Sequence, residues 1–267
     1  MTFGKYGAWR RIGDWTPEDA AAVEDMGYGA IWAGGSPSAD LEAVEALIAA
    51  TSRVPVATGI VNMWRADPAE VARSYHRIEE RHPGRFYLGL GIGHPEATAE
   101  YRNPYETMVE YLDRVEAEGV PSDRIILAAL GPRALKLAAT RTYGAHPYLT
   151  TPAHTKMARE VMGPGSFLAP EHKVVLDREE WERLARPNVE RYLRLRNYRA
   201  NLLREGWDQS DLEGSERLIE ALVLTGHPAA VAAALSRHIG AGADHVCVQV
   251  LGQDPLAGYR ALASFLF

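Results

Sequence analysis

The chain has 267 residues, the length of one (β/α)8 barrel, and its 46% hydrophobic and 24% charged residues exclude a disordered chain. The formal net charge of −6, with no run of basic residues, disfavours nucleic acid or an anionic membrane as a partner. No run of 18 apolar residues predicts a membrane span, and no signal-like apolar stretch follows Met1. The single cysteine, Cys247, excludes an internal disulfide, so a cytoplasmic protein is expected.

Most helices are predicted from one recurring signal, a capping residue followed by proline. The cap accepts a hydrogen bond from a free helix N–H, and proline fits the first turn because its missing N–H would be unpaired there. The signal occurs at Thr16-Pro17, Asp67-Pro68, Asn103-Pro104, Thr151-Pro152 and Asp254-Pro255. Gly131-Pro132 opens another helix, and a further helix is predicted over 39–51.

Eight β-rich runs are predicted as strands. Most of them are apolar throughout, which is typical of a parallel sheet buried on both faces. They are Tyr6 to Trp9, Ala30 to Ala33, Val54 to Val61, Phe86 to Leu90, Ile125 to Ala128, Gly144 to Leu149, Lys173 to Leu176 and His245 to Leu251. Strand and helix signals alternate, which predicts the α/β class, and eight units favour a closed barrel over an open doubly wound sheet.

Residues 177–240 depart from this alternation. They hold an arginine- and glutamate-rich helical stretch over 179–204, a polar break over 208–214 and helical segments near 215–224 and 228–239. We interpret 177–240 as a helical insertion between strands seven and eight. It belongs to a single domain covering 1–267, because the eighth strand follows the insertion and must pair with the other strands to complete the barrel.

In such barrels the active site lies at the carboxyl ends of the strands. Three glycine clusters occur there, of which Gly34-Gly35 is the weakest signal. Gly89 to Gly93 ends the fourth strand, where small residues let a flat ligand approach the backbone, although a simple turn gives the same pattern. Gly131-Pro132-Arg133 starts a helix whose N–H groups favour a phosphate, although an ordinary helix start also fits.

Aromatic and histidine residues at the strand ends are the other candidates. Trp9 and Trp64 could form the walls of an apolar pocket, whereas core packing explains Trp32. His94 and His146 stand where catalytic groups belong, and a structural role is the alternative for each. Cys247 is predicted to be inert core. The histidines predicted as surface or helix residues are His76, His82, His172, His227 and His238.

Several chemistries lack their motifs. No His-Glu-x-x-His or His-x-His pattern indicates a metal site, so no bound metal is expected. There is no Gly-x-Ser-x-Gly elbow and no Walker-type phosphate loop. The predicted strand ends carry no pair of carboxylates, as a glycosidase would require. An apolar, aromatic and glycine-rich mouth favours a planar cofactor over hydrolysis.

An ordered set of segments resembles the luciferase-like monooxygenase superfamily, and most closely its actinobacterial branch of coenzyme F420-dependent oxidoreductases. The segments are Thr58 to Asn62, Trp64 to Pro68, Gly84 to Gly91, Ala129 to Pro132, Tyr143 to Tyr148 and Gly240 to Val246. They cover nearly the full chain. The resemblance implies a (β/α)8 barrel that binds F420, or alternatively FMN, across its mouth, and commonly a homodimer.

The resemblance also implies roles for particular residues. The cofactor ring rests on a bulge with a non-proline cis peptide, which corresponds to Gly59-Ile60, and Asn62 faces the ring. Gly91-Ile92-Gly93 corresponds to the cofactor-contacting strand end. Gly131-Pro132 corresponds to the helix start that receives the cofactor phosphate, where Arg133 would add charge. Trp9, Ser36, Trp64 and Tyr148 are expected to line the substrate pocket.

The implied function is an oxidoreductase that transfers a hydride between F420 and a small organic substrate. An FMN-dependent monooxygenase and a non-catalytic flavin- or deazaflavin-binding protein are the alternatives. The second strand is followed by Gly34-Gly35-Ser36, where many deazaflavin members carry an acid and a histidine. The family's known substrates therefore do not transfer to this chain, and His94 and His146 are the candidate proton donors.

The position of His94 generates a first prediction. A His94→Gln variant is expected to keep its melting temperature and cofactor affinity while the rate falls about 100-fold, the lower end of what general acid catalysis supplies. Histidine has a reference pKa of about 6.5 and exchanges a proton near neutrality. Melting curves, cofactor titrations and turnover rates check this. Turnover at the wild-type rate would make His146 or water the next donor to test.

Overall fold

The computed structural model describes residues 2–93 and 103–267. Its strands are β1 (Tyr6–Arg11), β2 (Ile31–Gly34), β3 (Val56–Gly59), β4 (Val61–Asn62), β5 (Phe86–Gly91), β6 (Ile125–Leu127), β7 (Gly144–Ala145), β8 (Phe167–Leu168), β9 (Glu171–Val174), β10 (Val223–Leu224) and β11 (Val246–Val250). Its helices are α1 (Pro17–Asp25), α2 (Glu42–Ala49), α3 (Pro68–Arg81), α4 (Pro104–Ala117), α5 (Pro132–Arg141), α6 (Pro152–Met162), α7 (Arg178–Leu193), α8 (Arg196–Arg204), α9 (Glu216–Leu222), α10 (Pro228–Gly240) and α11 (Pro255–Leu266). None of the helices in these two ranges has the length and apolar character needed to cross a membrane.

The predicted helix starts are confirmed, because each signal is local. Helices α1, α3, α4, α6 and α11 begin at the proline of the pair, and the preceding side chain accepts a hydrogen bond from the first turn. For example, the hydroxyl of Thr151 accepts from the N–H of His154 at 3.2 Å. These caps end the connecting loops at fixed residues, so each helix packs back onto the strand before it.

The strands form a parallel sheet that closes into a barrel. Along the sheet the order is β9, β11, β1, β2, β3, β5, β6, β7, β8. Strands β8 and β9 are separated only by Ala169 and Pro170, so they are two halves of one kinked strand. The first half pairs with β7 and the second half with β11, which closes the ring. The predicted α/β barrel is confirmed.

Some strand boundaries differ from the prediction. The third run divides into β3 and β4 at Ile60, because the chain bends there and β4 pairs only with β5. The seventh strand begins before Lys173: its first half, β8, starts at Phe167, and its second half, β9, starts at Glu171. The helix expected to reach residue 224 ends at Leu222, because Val223 and Leu224 instead form β10 and pair with β9.

The segment predicted as an insertion has two parts. Helices α7, α8 and α9 share an apolar cluster that contains Trp181, Leu193, Leu202 and Ile219, and this cluster includes Val175 at the end of the barrel's seventh strand. Helix α10 instead packs against α6 and α11, in the outer ring of barrel helices. Three helices and a short strand are therefore added to the barrel, and α10 is one of its regular helices.

The barrel interior is filled by side chains from alternate positions of the strands. Trp9, Trp32, Tyr87, Phe167 and Cys247 form one buried cluster inside the ring, whereas apolar residues at the intervening strand positions pack outward against the helices. This alternation is what a closed barrel requires. As predicted, Cys247 is fully buried. The ring of Phe3 lies 4.6 to 5.8 Å from three rings of this cluster and closes the amino-terminal end.

One histidine differs from its prediction as a surface or helix residue: His172 lies in β9 and is buried. His238 lies in helix α10, as the prediction allowed, and is buried as well. The hydroxyl of Thr155 lies 2.7 Å from His238 Nδ1, and His238 Nε2 lies 2.8 Å from His172 Nδ1. Their burial follows from the kinked strand, which places His172 between the sheet and α10, and polar partners compensate for the lost water.

The buried histidines generate a prediction about pH. Burial lowers the pKa of His146, His154 and His245 to about 4 and that of His172 to about 3. Unfolded histidine titrates near 6.5, so in the range between the two values only the unfolded chain binds the proton. The stabilisation is complete above about pH 6.5 and is lost as the pH falls towards 4. We expect the free energy of unfolding to fall by about 2 kcal/mol per buried histidine between pH 7 and pH 5.

Urea unfolding at the two pH values measures this dependence. In His245→Gln the amide can still accept from Trp32 Nε1 and donate to the carbonyl oxygen of Gly4, the two contacts of His245. In this variant the decrease in the free energy of unfolding between pH 7 and pH 5 should be smaller than in the wild type by the contribution of one histidine. His76→Gln, at an exposed position, is the control and should retain all of it. Equal pH dependence in the wild type and both variants would contradict the prediction.

Candidate active site

Several residues predicted to bind the cofactor come together at the carboxyl ends of β3, β4 and β5. Asn62 pairs with Gly91 across β4 and β5. A Cβ on Gly91 would lie 2.7 Å from Ile60 Cγ1, so only glycine allows this close approach. The peptide bond between Gly59 and Ile60 is cis, as the resemblance implied. These residues form a continuous backbone surface at the barrel mouth.

The residues after β5 continue this surface. Gly93 has φ +65°, and a Cβ on it would lie 2.8 Å from Asn62 Nδ2. Asn62 Oδ1 accepts from the N–H of Trp64 at 2.9 Å, which fixes the amide so that its nitrogen faces Gly93. Ile92 is half-buried beside them. His94 lies outside the described residues, and its catalytic role stays a prediction.

The indole of Trp9 lies across two strands that end in glycine. Gly34 pairs with Gly59 across β2 and β3. A Cβ on Gly34 would overlap the Trp9 ring, and one on Gly59 would lie 2.6 Å from Trp9 Nε1. Trp32, Ala57 and Tyr87 point into the barrel. Residues two or four positions further along a strand share the same face, so Gly34, Gly59 and Gly91 also face the interior. We call these three residues the glycine face.

His146, the second catalytic candidate, is buried under the glycine face. Its Nδ1 lies 2.8 Å from the carbonyl oxygen of Ala169, and its ring stacks on Trp32 at 4.4 Å. Burial lowers its pKa to about 4, so the ring is neutral at pH 7 with the proton on Nδ1. The unprotonated Nε2 lies 3.3 Å from the Cβ position of Gly59. His146 Nε2 is therefore a hydrogen-bond acceptor that lies next to Gly59.

Two buried polar atoms near Gly59 have no hydrogen-bond partner among residues 2–93 and 103–267. They are Trp9 Nε1, which can only donate, and His146 Nε2, which here accepts. Buried polar atoms normally have partners, and exceptions need an explanation such as a bound group. The glycine face brings the backbone within van der Waals reach of the Trp9 indole and the Ile60 side chain, which together form an apolar wall beside these two atoms. Both features fit a planar, polar-edged cofactor ring.

Opposite the glycine face lies a cluster that the sequence analysis missed. Lys173 Nζ donates to Glu171 Oε1 at 2.8 Å and to Gln249 Oε1 at 3.0 Å, and it lies 3.9 Å from the centre of the Tyr148 ring. The hydroxyl of Tyr148 donates to Gln249 Oε1 at 2.9 Å. We call Tyr148, Glu171, Lys173 and Gln249 the polar face. The alternation Glu171-x-Lys173 could have indicated it, but Pro170 obscured the strand.

The amino terminus of α5 lies at the rim of the mouth. Gly131 occupies the N-cap position of α5. It has no side chain that could accept a hydrogen bond from the first N–H groups of the helix. Arg133 is exposed, with its guanidinium 4.3 Å from the centre of the Tyr105 ring. Arg204 Nη2, from α8, lies 3.6 Å from the Cβ position of Gly131. Sequence reasoning missed Arg204 because it lies in a different part of the chain.

The remaining candidates are placed as follows. Pro132 is exposed at the first position of α5. Ser36 is exposed after β2, with φ +58°. Trp64 follows β4 and is half-buried. Tyr148 is half-buried in the polar face, with its ring centre 5.2 Å from that of Trp9. Trp9 and Tyr148 are therefore brought together, and Ser36 lies on the loop beyond Gly34.

Comparison with known proteins supports the family resemblance. The model of the luciferase-like monooxygenase family matches residues 14–118, which is less than half of the chain. No curated protein matches the chain in sequence. The matched residues contain the cis peptide and all three residues of the glycine face. The chain thus resembles the luciferase-like monooxygenases, as its sequence predicted.

Solved structures share the fold over almost the full length. An F420-dependent secondary alcohol dehydrogenase with an F420-acetone adduct is 16% identical, with 99% of this chain and 98% of that chain covered at a TM-score of 0.74. The coenzyme F420-dependent tetrahydromethanopterin reductase of Methanopyrus kandleri is 16% identical, with 99% of each chain covered at 0.73. The FMN-bound oxygenating constituent of 3,6-diketocamphane monooxygenase from Pseudomonas putida is 16% identical, with 97% and 95% covered at 0.72. At this identity the likeness shows the fold.

The packing of Trp9 on Gly34 generates a prediction. In Gly34→Ala the new methyl group must displace the indole, and overpacking of this kind costs about 1–3 kcal/mol of stability. Trp9 would move, so the tryptophan fluorescence spectrum should shift as well. Gly13→Ala is the matched control, because no atom lies within 4 Å of that Cβ position. Urea unfolding and emission spectra check this, and equal stability of the two variants would contradict it.

Proposed function

We propose that this protein is an oxidoreductase that binds a deazaflavin, coenzyme F420, and transfers a hydride between it and a small organic substrate. The observation that carries the proposal is the glycine face, with the orphaned Trp9 Nε1 and His146 Nε2 beside it and the uncapped α5 at the rim. The family model and the neighbouring structures support an oxidoreductase or monooxygenase of the luciferase-like class.

The arginines at the rim favour F420 over FMN. F420 carries an acidic tail beyond its phosphate, whereas FMN ends at the phosphate. Within the described ranges, Arg65, Arg133 and Arg204 form no ion pair with a carboxylate, so their charges are available for a tail. Arg10 is not available, because it pairs with Asp19 at 2.7 Å and lies against the Trp15 ring.

The chain's own residues would hold, orient and shield the reactants. When bound, the cofactor supplies the hydride chemistry. Gly59, Ile60, Asn62 and Gly91-Ile92-Gly93 would support its ring, and Gly131-Pro132-Arg133 would bind its phosphate at the amino terminus of α5. His146 Nε2 would accept a hydrogen bond beneath the ring. Trp9, Ser36, Trp64 and Tyr148 would exclude water and confine a substrate over the ring.

An FMN-dependent monooxygenase is the second candidate. It is favoured by the FMN-bound neighbour, whose fold covers 97% of this chain, compared with 99% for the two F420 enzymes. A non-catalytic binding protein is the third, because Gly34-Gly35-Ser36 lacks the usual acid. We also propose that the chain is one domain, with the helical additions as part of it, and that it acts as a cytoplasmic homodimer. Size-exclusion chromatography with light scattering would test the dimer.

Titrating the purified protein with F420 and with FMN, followed by fluorescence quenching, separates the two cofactors. We expect F420 to bind more tightly, and tighter binding of FMN would favour the monooxygenase. Mixing the protein with reduced cofactor and a set of carbonyl and enone acceptors then separates an enzyme from a binder. Cofactor binding without oxidation of the reduced form by any acceptor would support the binding protein.

The rim generates a prediction about Arg133. Removal of one charge-assisted hydrogen bond in Arg133→Ala should weaken cofactor binding by about 1.5–3 kcal/mol. Stability should change little, because an exposed arginine contributes little to the fold. Lys136→Ala, at an exposed position one turn along α5, is the control. Fluorescence titrations and melting curves measure both effects. Equal affinity of Arg133→Ala and the wild type would remove Arg133 from the phosphate site.

A further inference from the structure

The polar face fixes the orientation of the Gln249 amide. Lys173 Nζ can only donate, and it lies 3.0 Å from Gln249 Oε1. The Tyr148 hydroxyl donates to the same oxygen at 2.9 Å. A flipped amide would place its NH2 group against the ammonium. Oε1 therefore points at Lys173 with both lone pairs used, and Nε2 is the free end of the side chain.

The support behind Gln249 is rigid. Lys173 and Glu171 are both fully buried and form an ion pair at 2.8 Å. Glu171 Oε2 also accepts from the N–H of Leu149 at 2.8 Å, so both carboxylate oxygens have partners. Removal of either ion would leave the other charge buried and unpaired, which is costly. Lys173 therefore stays in place and holds the Gln249 oxygen.

Gln249 lies in the same layer of the barrel interior as Trp9. Val248 pairs with Ala8 across β11 and β1, so the next residues, Gln249 and Trp9, are level and face inward together. Trp9 in turn lies on Gly34 and Gly59. The Gln249 side chain thus belongs to the mouth layer and faces the glycine face across the barrel. Its Nε2 makes no hydrogen bond to any residue in the described part of the chain.

We propose that Gln249 Nε2 donates a hydrogen bond to the carbonyl oxygen of an uncharged substrate held between the polar face and the cofactor. This inference rests on the proposed function and names its substrate class. A fixed amide N–H matches an acceptor oxygen. The charge of Lys173 is neutralised by Glu171, so a carboxylate substrate finds no unpaired cation on this face. Gln249 is then a specificity-determining residue that selects a neutral carbonyl.

Nuclear magnetic resonance tests this contact directly on the wild-type protein. The chain has three glutamines, Gln209, Gln249 and Gln253. Glutamine-selective 15N labelling therefore gives three side-chain amide pairs, and Gln209→Glu and Gln253→Glu assign the third pair to Gln249 by elimination. The protein is loaded with F420, or with FMN if that binds more tightly, and cyclohexanone is added as the neutral carbonyl probe. We expect the Gln249 pair to shift and saturate while the other two do not.

A variant then measures the contribution of the N–H group. In Gln249→Glu, studied at pH 8, the carboxylate still accepts from Lys173 and Tyr148 but has no N–H to donate. We expect its affinity for cyclohexanone to fall about tenfold, as for the loss of one hydrogen bond. Gln253→Glu places the same change at an exposed position and should bind as the wild type does. Cyclohexanecarboxylate should bind the wild type more weakly than cyclohexanone.

Three results would overturn the proposal. They are an unshifted Gln249 pair at saturating cyclohexanone, equal affinity of Gln249→Glu and the wild type, and tighter binding of cyclohexanecarboxylate than of cyclohexanone. If the variant does not fold, the wild-type amide shift alone decides. Failure of the proposed function is visible separately, because neither F420 nor FMN would then bind and produce fluorescence quenching. The shift of the Gln249 amide pair can still be measured in the absence of both cofactors.

Discussion

The contact between the Trp9 indole and two glycines determines the shape of the barrel mouth. Barrel interiors are filled by side chains that point inward from alternate strands, so a large residue on one strand needs a small one opposite. Here Trp9 occupies the space that side chains at Gly34 and Gly59 would otherwise fill. The strands that end in glycine consequently hold the indole close against their backbone, and the unpartnered Trp9 Nε1 and His146 Nε2 both lie near Gly59.

The interior of the mouth and its rim differ in charge. Inside the mouth His146 is uncharged, because burial lowers its pKa to about 4, and Lys173 is neutralised by Glu171. At the rim, Arg133 and Arg204 lie at the amino terminus of α5, and neither pairs with a carboxylate among residues 2–93 and 103–267. Under the proposed function, an anionic tail would find its partners outside the barrel, while the interior would favour uncharged rings and substrates. This charge distribution would then orient a cofactor with a neutral ring and an acidic tail in one direction.

Much of this arrangement follows from local sequence signals. The starts of α1, α3, α4, α6 and α11 were predictable, since cap and proline act within one turn, and the glycine positions followed from their strand ends. The polar face was not predictable, because its residues meet only after the barrel closes. Pro170 kinks the seventh strand, and the polar residues Glu171 and His172 did not resemble a buried strand. Their burial depends on partners that the strand signal does not show: Glu171 accepts from Lys173 and from the N–H of Leu149, and His172 lies against His238, far along the chain.

The helices added after the seventh strand connect the polar face to the rim. Tyr192 of α7 packs against Tyr148 with ring centres 5.5 Å apart, and Lys173 lies 5.6 Å from the centre of the Tyr192 ring. Arg204, at the carboxyl end of α8, lies near the start of α5. The hydroxyl of Thr151, the cap of α6, also donates to Glu205 Oε2 at 2.6 Å, which attaches α8 to the barrel. A change in the packing of α7 and α8 would therefore affect both Tyr148 and Arg204, and under the proposed function it would affect the substrate and phosphate contacts together.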